Sequence, residues 1–153
     1  MTKTTDIILS KKYEALQPLK VLLAGLGATA VMTAFMLIAP YIGLTDMNVG
    51  VLLGSFMGDS QALGWTLHAV IGIIMAFIYV QFFNHTLPVI NDTFRGMLFG
   101  IIVFIMSQIA FTLISLTGFL SWDQKEGMAL MVFGNCLAGM IYGAVLGSFF
   151  KNK

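Results

Sequence analysis

Residues 63–83 read LGWTLHAVIGIIMAFIYVQFF, with no Asp, Glu, Lys or Arg among them. About 20 apolar residues in a helix cross the hydrocarbon core of a bilayer, so this stretch predicts a transmembrane span. Three more of the same kind flank it, at about 19–38, 96–116 and 127–150, and none of the four contains an acidic residue. Pro18, suited to a first helical turn, and Pro40 bracket the first span. The composition agrees: 58% of the 153 residues are apolar, 10% are charged and mean hydropathy is +0.91, whereas a soluble domain is about 45–50% apolar and about 25% charged. The predicted fold class is all-α, a single membrane domain over 1–153 built as a four-helix transmembrane bundle. The first span does not read as a cleaved signal peptide, being too long for an h-region and lacking a small-residue cleavage site.

A formal charge of +1 is too balanced for a protein that binds nucleic acid through counterion release. Cys136 is the single cysteine, which excludes an intrachain disulfide, a dithiol motif and a cysteine-cluster metal site. Lys3, Lys11, Lys12, Lys20, Arg95, Lys151 and Lys153 all fall on one side of the predicted spans, opposite Asp46, Asp59, Asp123 and Glu126. The positive-inside rule then places both termini in the cytoplasm.

Two segments outside the spans have helical periodicity. In 47–58, Val49, Leu52, Leu53, Phe56 and Met57 share one face, which fits a short helix lying on the outer membrane face or folding back over the bundle. In 5–17, Leu9, Tyr13 and Leu16 share a face, with Lys11 and Lys12 available to anionic headgroups.

The chain also repeats itself. Lys20, Gly25, Thr29 and Thr33 align with Arg95, Gly100, Phe104 and Gln108 at a constant offset of 75, and His68 and Gly72 align with Asn135 and Gly139 at an offset of 67. Two tandem helical hairpins entering the membrane in the same direction imply a pseudo-twofold axis along the membrane normal. Residues four apart share a helix stripe, so Gly72, Gly139, Gly143 and Gly147 read as faces for close helix packing.

Thr29, Thr33, His68, Ser107, Gln108 and Asn135 are the polar groups at membrane depth, and the cheapest arrangement turns them inward to satisfy one another. His68 is the one ionisable group well inside a span and is therefore a functional candidate. Its imidazole could ligate haem iron or hydrogen-bond a quinone carbonyl; alternatively it donates to Thr29, Thr33 or Asn135 and only joins helices. His85 is too far along the helix to be a second haem ligand. Lys20 and Arg95 read as snorkelling anchors or lipid-headgroup contacts, and Trp65, Trp122, Tyr41 and Tyr142 as interfacial aromatics. The acidic residues of the outer loops follow no calcium-loop spacing and read as a solvated rim. The eleven methionines are spread over every span and read as packing. With no nucleophile–base set, phosphate loop or metal-ligand spacing, no catalytic residue and no metal are expected.

The stretch Gly43-Leu44-Thr45-Asp46-Met47, then Leu52-Leu53-Gly54-Ser55-Phe56-Met57-Gly58, then Gly64-Trp65-x-x-His68-x-x-x-Gly72-x-x-x-Ala76-x-x-Tyr79 resembles an uncharacterised family of small four-span bacterial membrane proteins, a domain of unknown function. It departs from that pattern at Thr45, where the family often has proline, and at Ala69, where it often has an aromatic. The resemblance implies a multi-pass protein of the bacterial inner membrane and implies no reaction. The residues favour a non-enzymatic accessory or assembly subunit of a larger, respiratory-type membrane complex, in contact with lipid and other subunits. A small homo-oligomeric transporter or channel is the alternative, disfavoured because no carboxylate lies in a span. A haem or quinone site at His68 is the third reading.

Overall fold

In the computed structural model, residues 2–44, 48–83, 91–117 and 128–150 are described, with side chains over 18–44, 48–83, 91–117 and 129–150. All the regular structure among them is helical: α1 (Thr2–Ile38), α2 (Val49–Gly54), α3 (Gln61–Ile78), α4 (Asp92–Leu116) and α5 (Met128–Phe149). Four stretches are long and apolar enough to cross a membrane, Pro18–Ile42, Gln61–Phe83, Asp92–Leu116 and Ala129–Phe149. The protein is an all-α membrane protein with four spans.

The span ends follow local chemistry more than hydropathy. Helix α1 does not begin at Pro18; it runs through it from Thr2, although a proline inside a helix forfeits one backbone hydrogen bond. After Ile38 it tightens into a 3-10 turn, Ala39–Ile42, closed by Gly43 at φ 83°. Helix α4 begins at Asp92, ahead of the apolar run, because the Asn91 carboxamide accepts the Thr93 N–H at 2.9 Å. Asp92 then sits in the first turn, where the helix dipole favours an anion, and pairs with Arg95 at 3.1 Å.

Helix α2 is folded back against α3. The Asn48 side chain caps it by accepting from Val51 N–H at 3.0 Å. The chain then turns through Gly58 and Asp59, both at positive φ, and Ser60 caps α3. A β-carbon on Gly64 would strike the Gly50 carbonyl oxygen and lie 2.6 Å from Gly54 N, so the two backbones are in direct contact.

Helix α1 packs on both α3 and α5, and α5 packs on α4. Glycine makes each approach possible. A β-carbon on Gly25 would lie 3.0 Å from Ile73 Cα and 3.3 Å from the Gly72 carbonyl oxygen. Between α4 and α5, Gly96 faces Gly143 and Gly100 faces Gly139, backbone against backbone. The buried core runs through Val21, Ala24, Ala28, Ala76, Tyr79, Phe99, Tyr142, Leu146 and Phe150. At its Arg95 end, where α3 passes into a π-helical turn (Tyr79–Phe83), the Tyr79 ring packs 5.2 Å from Phe99 and 6.3 Å from Phe150.

Candidate functional site

The site begins with a four-residue stripe. Gly64, His68, Gly72 and Ala76 are the buried positions of α3, and each faces a neighbour differently. Gly64 carries α2. Gly72 and Ala76 receive α1: a β-carbon on Gly72 would collide with Thr29 Oγ1, and Thr29, itself turned inward, donates to the Gly25 carbonyl at 2.8 Å. His68 lies between these two contacts, where α1 and α3 part.

A groove of about 400 Å³ fills that gap, lined by Leu26, Thr29, Ala30, Thr33, Ala34, Leu37, Trp65, His68 and Ala69. Leu26, Ala30, Ala34 and Leu37 are exposed on the bundle surface, so the groove opens toward the lipid side. His68 is 9% exposed, and its Nε2 has no hydrogen-bond partner among the described residues. The Trp65 ring stands edge-on to the imidazole, centroids 6.0 Å apart at 73°. No charged side chain lines the groove. Chemically it is a mostly apolar slot whose polar lining residues are Thr29, Thr33 and His68, with His68 Nε2 itself buried.

The sequence-predicted polar groups therefore part company. Thr29, Thr33 and His68 meet in the groove, but Thr29 bonds its own helix and His68 Nε2 takes no proton from it and gives none to it. Asn135 Nδ2 is also buried without a partner among the described residues, so the expected mutual satisfaction does not form among them. Gln108 lies on α4, half-buried, with its backbone carbonyl accepting from Thr112 Oγ1 at 2.8 Å. Gly139, Gly143 and Gly147 all face α4, Gly147 meeting the Asp92 backbone.

Arg95 is not a snorkelled anchor: it is 6% exposed and held against Asp92, because a paired guanidinium tolerates burial that a lone one does not. Lys20 is exposed and its ammonium sits 5.0 Å from the centroid of the Phe150 ring, a cation–π placement. Tyr142 is not an interfacial aromatic. It is 4% exposed, and its hydroxyl donates to the Gly72 carbonyl at 2.6 Å, joining α5 to α3. Trp65 is half-buried near the start of α3 and packs over Gly50 of α2. The available signal was spacing, since Tyr142 stands three residues from Gly139 and Trp65 three from His68, each beside a stripe that turns inward. Tyr41 is 90% exposed. His85, Trp122, Asp46, Asp123 and Glu126 lie outside the described residues, which contain no group of three or more His, Cys, Asp or Glu able to hold a metal.

No curated protein and no solved structure matches the chain. A family of unknown function does, over residues 16–152, which takes in all four spans, α2 and the groove. Joined to four membrane-length helices, that match fixes the affiliation: the chain belongs to DUF6789, a family of unknown function.

Proposed function

We propose that the protein is a non-enzymatic accessory subunit of a larger membrane assembly, and that α4 is the helix that meets the partner. The supporting observation is coverage. Only 11% of the apolar stretch of α4 is buried, against 33%, 28% and 33% in the other three spans. Ile102, Ile105, Met106, Ile109 and Leu113 are all exposed on it. Lipid can cover apolar side chains, but it cannot hydrogen-bond the Gln108 amide, which no described residue serves. An amide at membrane depth is satisfied most cheaply by a neighbouring helix. The partner is accordingly another membrane-spanning subunit offering a polar side chain at that depth.

The test is purification in mild detergent of the wild type and Gln108→Leu, each sized intact and scanned for visible absorbance. The expected result is a companion subunit in fixed ratio with the wild type, lost from a variant that still purifies as a folded chain. A homo-oligomer of unchanged size in both proteins would overturn the reading and favour the small channel or transporter.

The proposed setting is the bacterial inner membrane with both termini cytoplasmic, resting on the one-sided Lys and Arg distribution. Alkaline phosphatase fused after Asp59 or Asp123 should be active, and fused after Asp92 inactive. Activity at Asp92 would reverse the topology. The proposed duplication rests on matched contacts: Gly25 lies against the Gly72 carbonyl as Gly100 lies against that of Gly139, pairs related by the same two sequence offsets.

A further inference from the structure

We infer that the groove between α1 and α3 binds a neutral, lipid-soluble molecule of the quinone class through a hydrogen bond to His68 Nε2. The inference is independent of the role of α4. Three observations carry it. First, His68 is 9% exposed and lines the groove, and its Nε2 is buried with no hydrogen-bond partner among the described residues. A buried polar atom left unmade is costly, and turning the imidazole edge toward an occupant of the groove would bring Nε2 to a ligand oxygen there. Second, the groove opens at the membrane surface of the bundle, not into the protein interior, so an occupant arrives from lipid. At about 400 Å³ it falls within the usual range of small-molecule sites, roughly 300–1,000 Å³. Third, its lining carries no charge. Phosphate headgroups and haem propionates need cationic partners, whereas a quinone needs none.

The imidazole suits both redox forms of such a ligand. In one tautomer Nε2 donates to a quinone carbonyl, and in the other it accepts from a quinol hydroxyl. Trp65 supplies a flat apolar wall beside the headgroup, and the exposed Leu26 and Leu37 leave room for a tail to run out into lipid. A neutral lipid such as a diacylglycerol shares the carbonyl and hydroxyl chemistry, so the experiment separates the two.

With Trp122→Phe as background, Trp65 is the sole tryptophan and reports on the groove. Purified protein is titrated with decylubiquinone, a quenching quinone. Expected is saturable quenching, with half-saturation raised about tenfold or more in His68→Leu, as befits loss of a buried hydrogen bond, at unchanged thermal midpoint. Ala34→Phe, which fills the groove from an exposed position, should abolish saturation. Linear quenching identical in all three proteins would overturn the inference. So would His68→Leu binding as tightly as its parent, or dioleoylglycerol displacing the quinone at equal concentration, which would assign the groove to neutral lipid. A Soret band in the purified protein would assign it to haem instead. Binding seen only after a co-purifying subunit is stripped away would assign it to a partner helix.

Discussion

Gly143→Leu should separate α4 from α5 and lower the thermal midpoint in detergent by on the order of 10 °C. A β-carbon at this position would collide with the Gly96 carbonyl oxygen and lie 2.9 Å from Gly100 N. Neither atom belongs to a side chain that can rotate away, so the helices must part as rigid bodies. Parting them also opens the contacts on either side, where a β-carbon on Gly139 would already lie 2.8 Å from the Gly100 oxygen and one on Gly147 would lie 3.0 Å from Thr93 Cα. In lipid, dispersion across a close backbone approach is much of what holds a helix pair, and overpacking a core costs about 1–3 kcal/mol. The loss belongs at the upper end of that range, because the whole seam lifts together. Gly134→Leu is the control on the same helix: a β-carbon there meets nothing nearer than Leu44 at 3.9 Å, and its midpoint should stay within a degree or two of the wild type. Equal midpoints for both variants would mean that the seam does not hold the pair.

The difference between those two glycines shows what the residues alone could convey. Four apolar runs specify four helices, since a backbone in hydrocarbon has no other way to satisfy its own hydrogen bonds. The four-residue glycine steps specify that a face packs. They do not say against what: Gly134 lies one residue from the Asn135 stripe and is nearly open, while Gly143 is locked against another backbone. The ends of spans depend on single capping groups such as Asn91, which hydropathy overlooks. Tyr142 looked interfacial because amphipathic aromatics usually are. Tyr142 instead finds a carbonyl acceptor inside the bundle, at Gly72, which only the placement of α5 against α3 reveals. For the candidate site, His68 was legible as an unusual residue. Its open groove was not, because that depends on how α1 and α3 sit against each other beside the Gly72–Thr29 contact.

Gly64→Leu should release α2 from α3 while leaving the α4–α5 pair intact. Helix α2 has only six residues, Val49–Gly54, far too few to hold a helix in isolation; it persists because it is docked. The dock is backbone on backbone at Gly64, reinforced by the Trp65 indole, whose Cδ1 would lie 2.8 Å from a β-carbon on Gly50. A leucine side chain at Gly64 must enter the space now taken by the Gly50 carbonyl and the Gly54 amide. The Asn48 cap and its 3.4 Å contact with Gln61 Nε2 are too weak and too exposed to resist. Amide hydrogen exchange across 48–58 should therefore accelerate about tenfold or more, as for a segment moved to the low-stability end of the structure, with exchange in 96–116 unchanged. The same release removes the packing that holds Trp65 edge-on to His68, so Trp65 emission should shift in step with the exchange. Unchanged exchange over 48–58 in a folded Gly64→Leu protein would show that α2 is held by contacts other than the Gly64 seam.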